Sequence, residues 1–184
     1  MRTLLFITGF LFMTTTGFTQ NHKSFYDLKT TTIDGKPFDF ASLKGKKVLI
    51  VNTASKCGNT PQYAQLEELY KKYGGDKFII IGFPANNFLS QEPGTNQQIQ
   101  EFCTVNYSVS FPMMSKISVK GKDQDPVYHW LTSKKENGVM DVTVKWNFQK
   151  FMINENGNLI GTVSPWTAPT TEKIVTWIEG KDGK

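Results

Sequence analysis

Two aliphatic runs of strand length, Lys47-Val48-Leu49-Ile50-Val51 and Phe78-Ile79-Ile80-Ile81-Gly82-Phe83, bracket a segment in which Tyr63, Leu66, Leu69, Tyr70 and Tyr73 recur at helical spacing. Continuous apolar runs of this length predict buried strands, and the intervening period predicts an amphipathic helix packed on them. The alternation continues along the chain. Thr30 to Phe40 has a strand–turn–strand pattern with Asp34-Gly35 at the turn, and Pro84 to Gly94 reads as a loop. Thr95 to Val105 reads as a helix with Ile99, Phe102 and Cys103 on one face. A strand is expected around Phe111 to Ile117 and a helix near Pro126 to Ser133. Strands Phe148 to Ile153 and Leu159 to Val163 follow, joined by Asn154-Glu155-Asn156-Gly157, and a closing helix spans about Thr170 to Ile178. This order predicts an α/β fold: a central mixed β-sheet that ends in an antiparallel pair and is flanked by helices.

With 184 residues, 39% hydrophobic and 20% charged, the chain suffices for one domain with a sizeable core, expected over residues 24–181. Residues 1–19 read differently. Arg2 precedes the apolar stretch Leu4 to Met13, too short to span a bilayer, and small and polar residues follow, which is the layout of a cleaved secretory signal peptide. Gly17 and Thr19 supply small residues for cleavage before Gln20. The expected mature chain is exported, periplasmic or secreted, with a net charge of +4 in place of +5. Its lysines are scattered, which argues for a solvated surface rather than a nucleic-acid stripe and leaves room for weak contact with an anionic membrane surface.

The chemistry concentrates in Asn52-Thr53-Ala54-Ser55-Lys56-Cys57-Gly58-Asn59-Thr60-Pro61, where a single cysteine sits between the first buried strand and the following helix. Thr60 is expected to cap that helix, with Pro61 in its first turn. The positive end of the helix dipole then points toward Cys57, with Lys56 beside it, and both favour thiolate over thiol. In open α/β sheets functional groups gather at the carboxyl ends of strands, where Cys57 falls.

Cys57 and Cys103 are the chain's two cysteines, and no C-x-x-C is present. Two histidines, His22 and His129, add none of the close spacings of a zinc site, and nothing in the sequence places His129 beside Cys57 as a base. Gln91 stands in a proline- and glycine-bounded loop after the second buried strand, and Trp146 and Asn147 open the strand Trp146 to Phe151. Taken singly these read as a loop amide, a core tryptophan and a turn asparagine.

As a set they resemble the glutathione peroxidase family over about Ser24 to Gly180. The matching blocks are Asn52 to Gly58 with Thr60-Pro61-Gln62-Tyr63, then Gly82-Phe83-Pro84, Gln91-Glu92-Pro93-Gly94, Phe111-Pro112-Met113 and Lys145-Trp146-Asn147-Phe148. The resemblance implies a thioredoxin-like fold and a thiol peroxidase in which Cys57 attacks the peroxide while Gln91, Trp146 and Asn147 complete a tetrad. It further implies no bound cofactor. Cys103 matches the resolving cysteine of thioredoxin-dependent members, so a thioredoxin-like protein or glutathione is the expected electron donor. The chain departs from many members at Ala85, where they carry a further cysteine, and at Asn86-Asn87. The short segment from Ser118 to Trp146 resembles the monomeric type with an open site, suited to lipid and other organic hydroperoxides as well as hydrogen peroxide. One rival stands beside this reading: an exported, non-catalytic thioredoxin-like binding module whose two cysteines form a structural disulfide.

Overall fold

The computed structural model describes residues 22–181. The predicted signal peptide, residues 1–19, lies outside the described residues. A four-stranded sheet runs in the order β4-β3-β5-β6, with β3 at Lys47–Thr53, β4 at Phe78–Pro84, β5 at Lys150–Ile153 and β6 at Leu159–Val163. β3 and β4 are parallel, Val51 opposite Gly82, whereas β5 is antiparallel to β3, Val51 opposite Lys150, and β6 is antiparallel to β5. The sheet is therefore mixed and closes on an antiparallel pair, as the sequence predicts. A separate hairpin pairs β1 (Lys29–Thr31) with β2 (Pro37–Asp39) across the Asp34-Gly35 turn.

Because successive residues of a strand face opposite sides, the sheet builds two cores. Val48, Ile50, Ile81, Phe83, Phe151 and Ile153 pack with Phe25, Phe40 and Leu43 of two short 3₁₀ turns and with Tyr128 and Leu131 of α3 (Pro126–Thr132). On the other face Leu49, Val51, Ile80 and Met152 meet α1 (Gln62–Tyr73), α2 (Asn96–Tyr107) and α5 (Glu172–Ile178) through Tyr63, Leu66, Ile99, Cys103, Ile174 and Trp177. The helix signals are local. Thr95 and Gln98 form a capping box at the start of α2, and Asp125 caps α3 ahead of Pro126. A short helix, α4 (Lys134–Asn137), has no counterpart in the sequence reading.

Two expectations shift. Phe111 to Ile117 makes only isolated bridges, Met114 with Thr32, Met113 with Gly82 and Ile117 with Ala85, and Pro112 lacks the N–H that a continuous ladder would use. Gly82 lets it approach, since a Cβ there would strike the Met113 sulfur. The strand expected from Trp146 begins instead at Lys150, and the preceding residues form a turn.

Polarity is what the sheet contributes to a site. The carboxyl ends of β3, β4 and β6 and the amino end of β5 lie at one edge, so the connections following or preceding them meet there. Phe151, fully buried at the centre and edge-on to Tyr128 at 5.9 Å, anchors this register. Phe151→Ala is expected to cost about 3–5 kcal/mol, read from urea unfolding; a loss below about 1 kcal/mol would contradict its placement.

Candidate active site around Cys57

Cys57 lies in the turn between β3 and α1, with 8% of its surface exposed. The backbone N–H of Asn59 reaches its Sγ at 3.4 Å. Thr60 does not cap α1. Its hydroxyl accepts from the Cys57 N–H at 3.0 Å and donates to the Ala54 carbonyl at 2.9 Å, so it braces the cysteine turn; Pro61 occupies the cap position without a side-chain bond. The turn tightens through Thr60 N–H to Cys57 C=O and Gln62 N–H to Asn59 C=O, three-residue steps that precede the first regular helical bond.

Gln91 and Asn147 converge on this turn. Gln91, after β4, accepts at its backbone carbonyl from the Lys56 N–H at 3.0 Å, and its Oε1 accepts from Asn147 Nδ2 at 2.9 Å. Asn147, fully buried, accepts at its carbonyl from Asn59 Nδ2 at 3.3 Å. Cys57, Asn59, Asn147, Gln91 and Lys56 thus form a closed ring of chain neighbours and hydrogen bonds. With Gln91 Oε1 accepting from Asn147, the side-chain NH2 of Gln91 is left as the donor end of the amide. Trp146 stacks at a tilt on Phe88, ring centres 5.2 Å apart, and its carbonyl accepts from Asn52 Nδ2.

Backbone strain flanks both amides. Leu89 and Ser90, just before Gln91, and Phe148, just after Asn147, have φ of 49°, 51° and 71°. Each such non-glycine position costs about 1–3 kcal/mol and persists where the surroundings over-determine it. Phe148 is fixed by full burial, by its N–H to the Asn52 carbonyl at 2.6 Å and by an edge-on contact with Tyr63. The Gln91 loop is held by Asn86 Oδ1, which accepts from the Glu92 N–H, and by Lys116 Nζ on the Gly94 carbonyl. Glu92, 1% exposed, accepts from the Ser55 hydroxyl at 2.7 Å, and burial raises its carboxyl above the ordinary range. A cleft of about 350 Å³ opens between this loop and α2, lined by Lys56, Glu92, Gln98 and Phe102 but not by Cys57.

Both cysteines are free thiols. Cys103 is buried in α2, in the same apolar cluster as Cys57, and burial pushes its thiol up to about 11. The fully buried Tyr63 hydroxyl faces Cys103 and Thr53 without closing a hydrogen bond of normal length. His129 lies on the exposed face of α3, 3.9 Å from Glu136. Among the described residues there is no cluster of three or more His, Cys, Asp or Glu side chains suited to a metal, and no helix is long and apolar enough to cross a membrane.

Asn59, Gln62 and Lys150 belong to the site without being expected there, Asn59 and Gln62 although they lie within the segment Asn52 to Tyr63 that carries the cysteine. Lys150 gave one signal: a lysine opening an otherwise apolar strand, Lys150-Phe151-Met152-Ile153, at a position that must face a core.

The glutathione peroxidase family profile matches residues 25–132. A relative in Saccharomyces cerevisiae, glutathione peroxidase-like peroxiredoxin 2, is 52% identical over 148 residues, which are 80% of this chain and 91% of that one. The chain belongs to the glutathione peroxidase family. Another relative, the glutathione peroxidase homolog BsaA of Bacillus subtilis, is 47% identical over 79% of this chain and 91% of its own length. Among solved structures, Trgpx in its apo form matches with a TM-score of 0.66 and 39% identity, covering 86% of this chain and 97% of that one. A thioredoxin-family thiol:disulfide interchange protein from Chlorobium tepidum, 21% identical with a TM-score of 0.56, shares the thioredoxin-like fold alone and covers 86% of this chain and 97% of its own.

Lys150, with no exposed surface, has its amine driven down to about 7 by burial. The unfolded chain then binds more protons than the folded one between about pH 7 and 10, so this residue's desolvation penalty is full below pH 7 and fades as pH rises. Between about pH 7 and 9, wild type should gain stability relative to Lys150→Met in parallel thermal melts; identical slopes would contradict the buried amine.

Proposed function

We propose that this glutathione peroxidase family member reduces hydroperoxides through Cys57, with Gln91, Trp146 and Asn147 supporting the reaction and Cys103 resolving it. The carrying observation is the ring that ties the Cys57 turn to the Gln91–Asn147 amide pair. A thiolate attacking ROOH bonds to one peroxide oxygen, the O–O bond breaks, and the departing oxygen takes up a proton as ROH, leaving Cys57 as a sulfenic acid. Negative charge moves from sulfur to the leaving oxygen. Neutral donors fixed in advance serve both ends of that movement: the paired amides of Gln91 and Asn147 are held in this way, and the Trp146 indole N–H is the third neutral donor of the set.

The sulfenic acid then condenses with the Cys103 thiol, forming a disulfide and releasing water. An external thiol closes the cycle. Enzymes of this family draw electrons from thiols and need no bound cofactor. The second cysteine supports a thioredoxin-like protein as donor, with glutathione as the other candidate. Hydrogen peroxide and organic or lipid hydroperoxides are the proposed substrates, in an antioxidant role under oxidative stress. The layout of residues 1–19 supports an exported enzyme and the short Ser118 to Trp146 segment a monomer. Free thiols at both positions speak against the structural-disulfide alternative.

The decisive experiment is hydroperoxide-dependent NADPH oxidation coupled in parallel to thioredoxin with its reductase and to glutathione with its reductase. Thioredoxin-coupled turnover should vanish in Cys103→Ser; undiminished turnover would remove Cys103 from the cycle, and no turnover by wild type with either system would sink the peroxidase reading. Gln91→Ala and Asn147→Ala should each lower the second-order rate with peroxide about 10²-fold or more while remaining folded, measured by stopped flow. Unchanged rates would exclude those amides.

A further inference from the structure

The least expected group near the site is a cation with nothing negative to answer it. Lys150 Nζ donates to Gln62 Oε1 at 2.6 Å, to the Thr167 carbonyl at 2.6 Å and to the Ser164 carbonyl at 3.3 Å. Three acceptors match the three N–H bonds of an ammonium, and no carboxylate pairs with it among the described residues. A fully buried, uncompensated charge is expensive, and such groups are poor evidence for stability. Its partners show what it holds together.

Gln62 stands at the first position of α1, and its Nε2 donates to the Pro165 carbonyl at 2.7 Å. The same carbonyl accepts from Asn59 Nδ2 at 3.1 Å, and that amide also reaches the Asn147 carbonyl. Asn59 is the residue whose backbone N–H meets Cys57 Sγ. Lys150 therefore clamps the loop 164–167 and the start of α1 into one piece, and the Pro165 carbonyl fixes the side chain of the residue that faces the sulfur. From there the chain of contacts runs to Asn147.

We propose that Lys150 is a positioning residue for peroxide reduction: by clamping Ser164, Thr167 and Gln62 it sets the Pro165 carbonyl, and through it Asn59, so that the Asn59 N–H points at the Cys57 sulfur. It acts through its neighbours and does not touch the reacting atoms. The inference rests on Cys57 as the peroxide-reactive residue. A displacement of about 1 Å in such a framework can cost about 10²-fold in rate. Lys150 sits three residues beyond Asn147 and opposite Val51 of β3, so the turn that delivers the amide leads directly into its clamp.

The test uses the full chain in a Cys103→Ser background, where a single thiol reports. Single-turnover consumption of hydrogen peroxide and alkylation of Cys57 by iodoacetamide at pH 6 are measured for that parent, for Lys150→Met and for Gln62→Leu, each corrected for the folded fraction from a thermal melt. Both rates should fall in Lys150→Met by about ten- to a hundredfold. They should fall in the same direction, by less, in Gln62→Leu, which cuts the tie to Pro165 and one of the lysine's three bonds and leaves its bonds to Ser164 and Thr167. A residue that only stabilised the fold would change the melt and leave both corrected rates at the parent value, and that result overturns the proposal. If Lys150→Met fails to fold, Gln62→Leu decides alone, parent rates again overturning it. A parent that consumes no peroxide defeats the assignment of Cys57 instead, and is told apart because the parent itself is silent.

Discussion

The constraint on which everything else depends is the orientation of three strands. β4 runs with β3 and β5 runs against it, so two carboxyl ends and one amino end come to the same edge. Reversing either neighbour would send Gln91 or Asn147 to the far side of the sheet, some seven residues of strand away from Cys57. The two cores enforce this arrangement. Val48 and Ile50 bury on one face and Leu49 and Val51 on the other, so a slip of one residue would transfer each set into the wrong core. Packing thereby brings the segments of the site to one edge, and the hydrogen bonds there set their finer geometry.

At that edge the structure spends stability. It holds three non-glycine residues at positive φ, a buried lysine and a buried glutamate whose second oxygen has no partner among the described residues. These features gather at the site end of the sheet, while the strands beneath are wholly aliphatic and aromatic over Val48 to Val51 and Phe78 to Ile81. Strain of this kind has a physical use where donors must stand ready before charge moves. A side-chain amide already fixed by a neighbour, as that of Gln91 is by Asn147 while the Lys56 N–H holds its backbone, need not reorganise during the reaction.

Legibility in the sequence followed the range of the interactions. The periodicity of Tyr63, Leu66 and Leu69, the Thr95–Gln98 box and the aliphatic runs are local, and the helices and strands they announce are present nearly to the residue. Thr60 misled because a cap and a turn brace use the same hydroxyl, and the choice was made by the Ala54 carbonyl six residues upstream. Trp146 and Asn147 read as strand because aromatic residues favour pleated surfaces, yet the positive φ of Phe148 turns the chain first. Cys57, Gln91 and Asn147 could be named from motifs, whereas Asn59, Gln62 and Lys150 matter through hydrogen bonds that span from 14 to 106 residues and that no local pattern encodes.

The proposed resolving step raises its own physical problem. Cys103 lies in a capped helix, buried, with its thiol pushed up to about 11, so in this conformation almost none of it is thiolate near neutral pH. Disulfide formation also needs the two Cα atoms within about 7 Å. Both demands have one answer. Of the twelve residues of α2, Ile99 and Cys103 are buried, Phe102 and Tyr107 pack half-buried on the same core and Val105 is 73% exposed, so most of the helix faces solvent and local opening of it is the movement that would meet both demands. Opening would bring Cys103 to water, removing the desolvation that raises its thiol, and would free it to approach Cys57. Exposure and activation of the second thiol are then the same event, and while α2 is closed burial keeps Cys103 from being oxidised in place of Cys57.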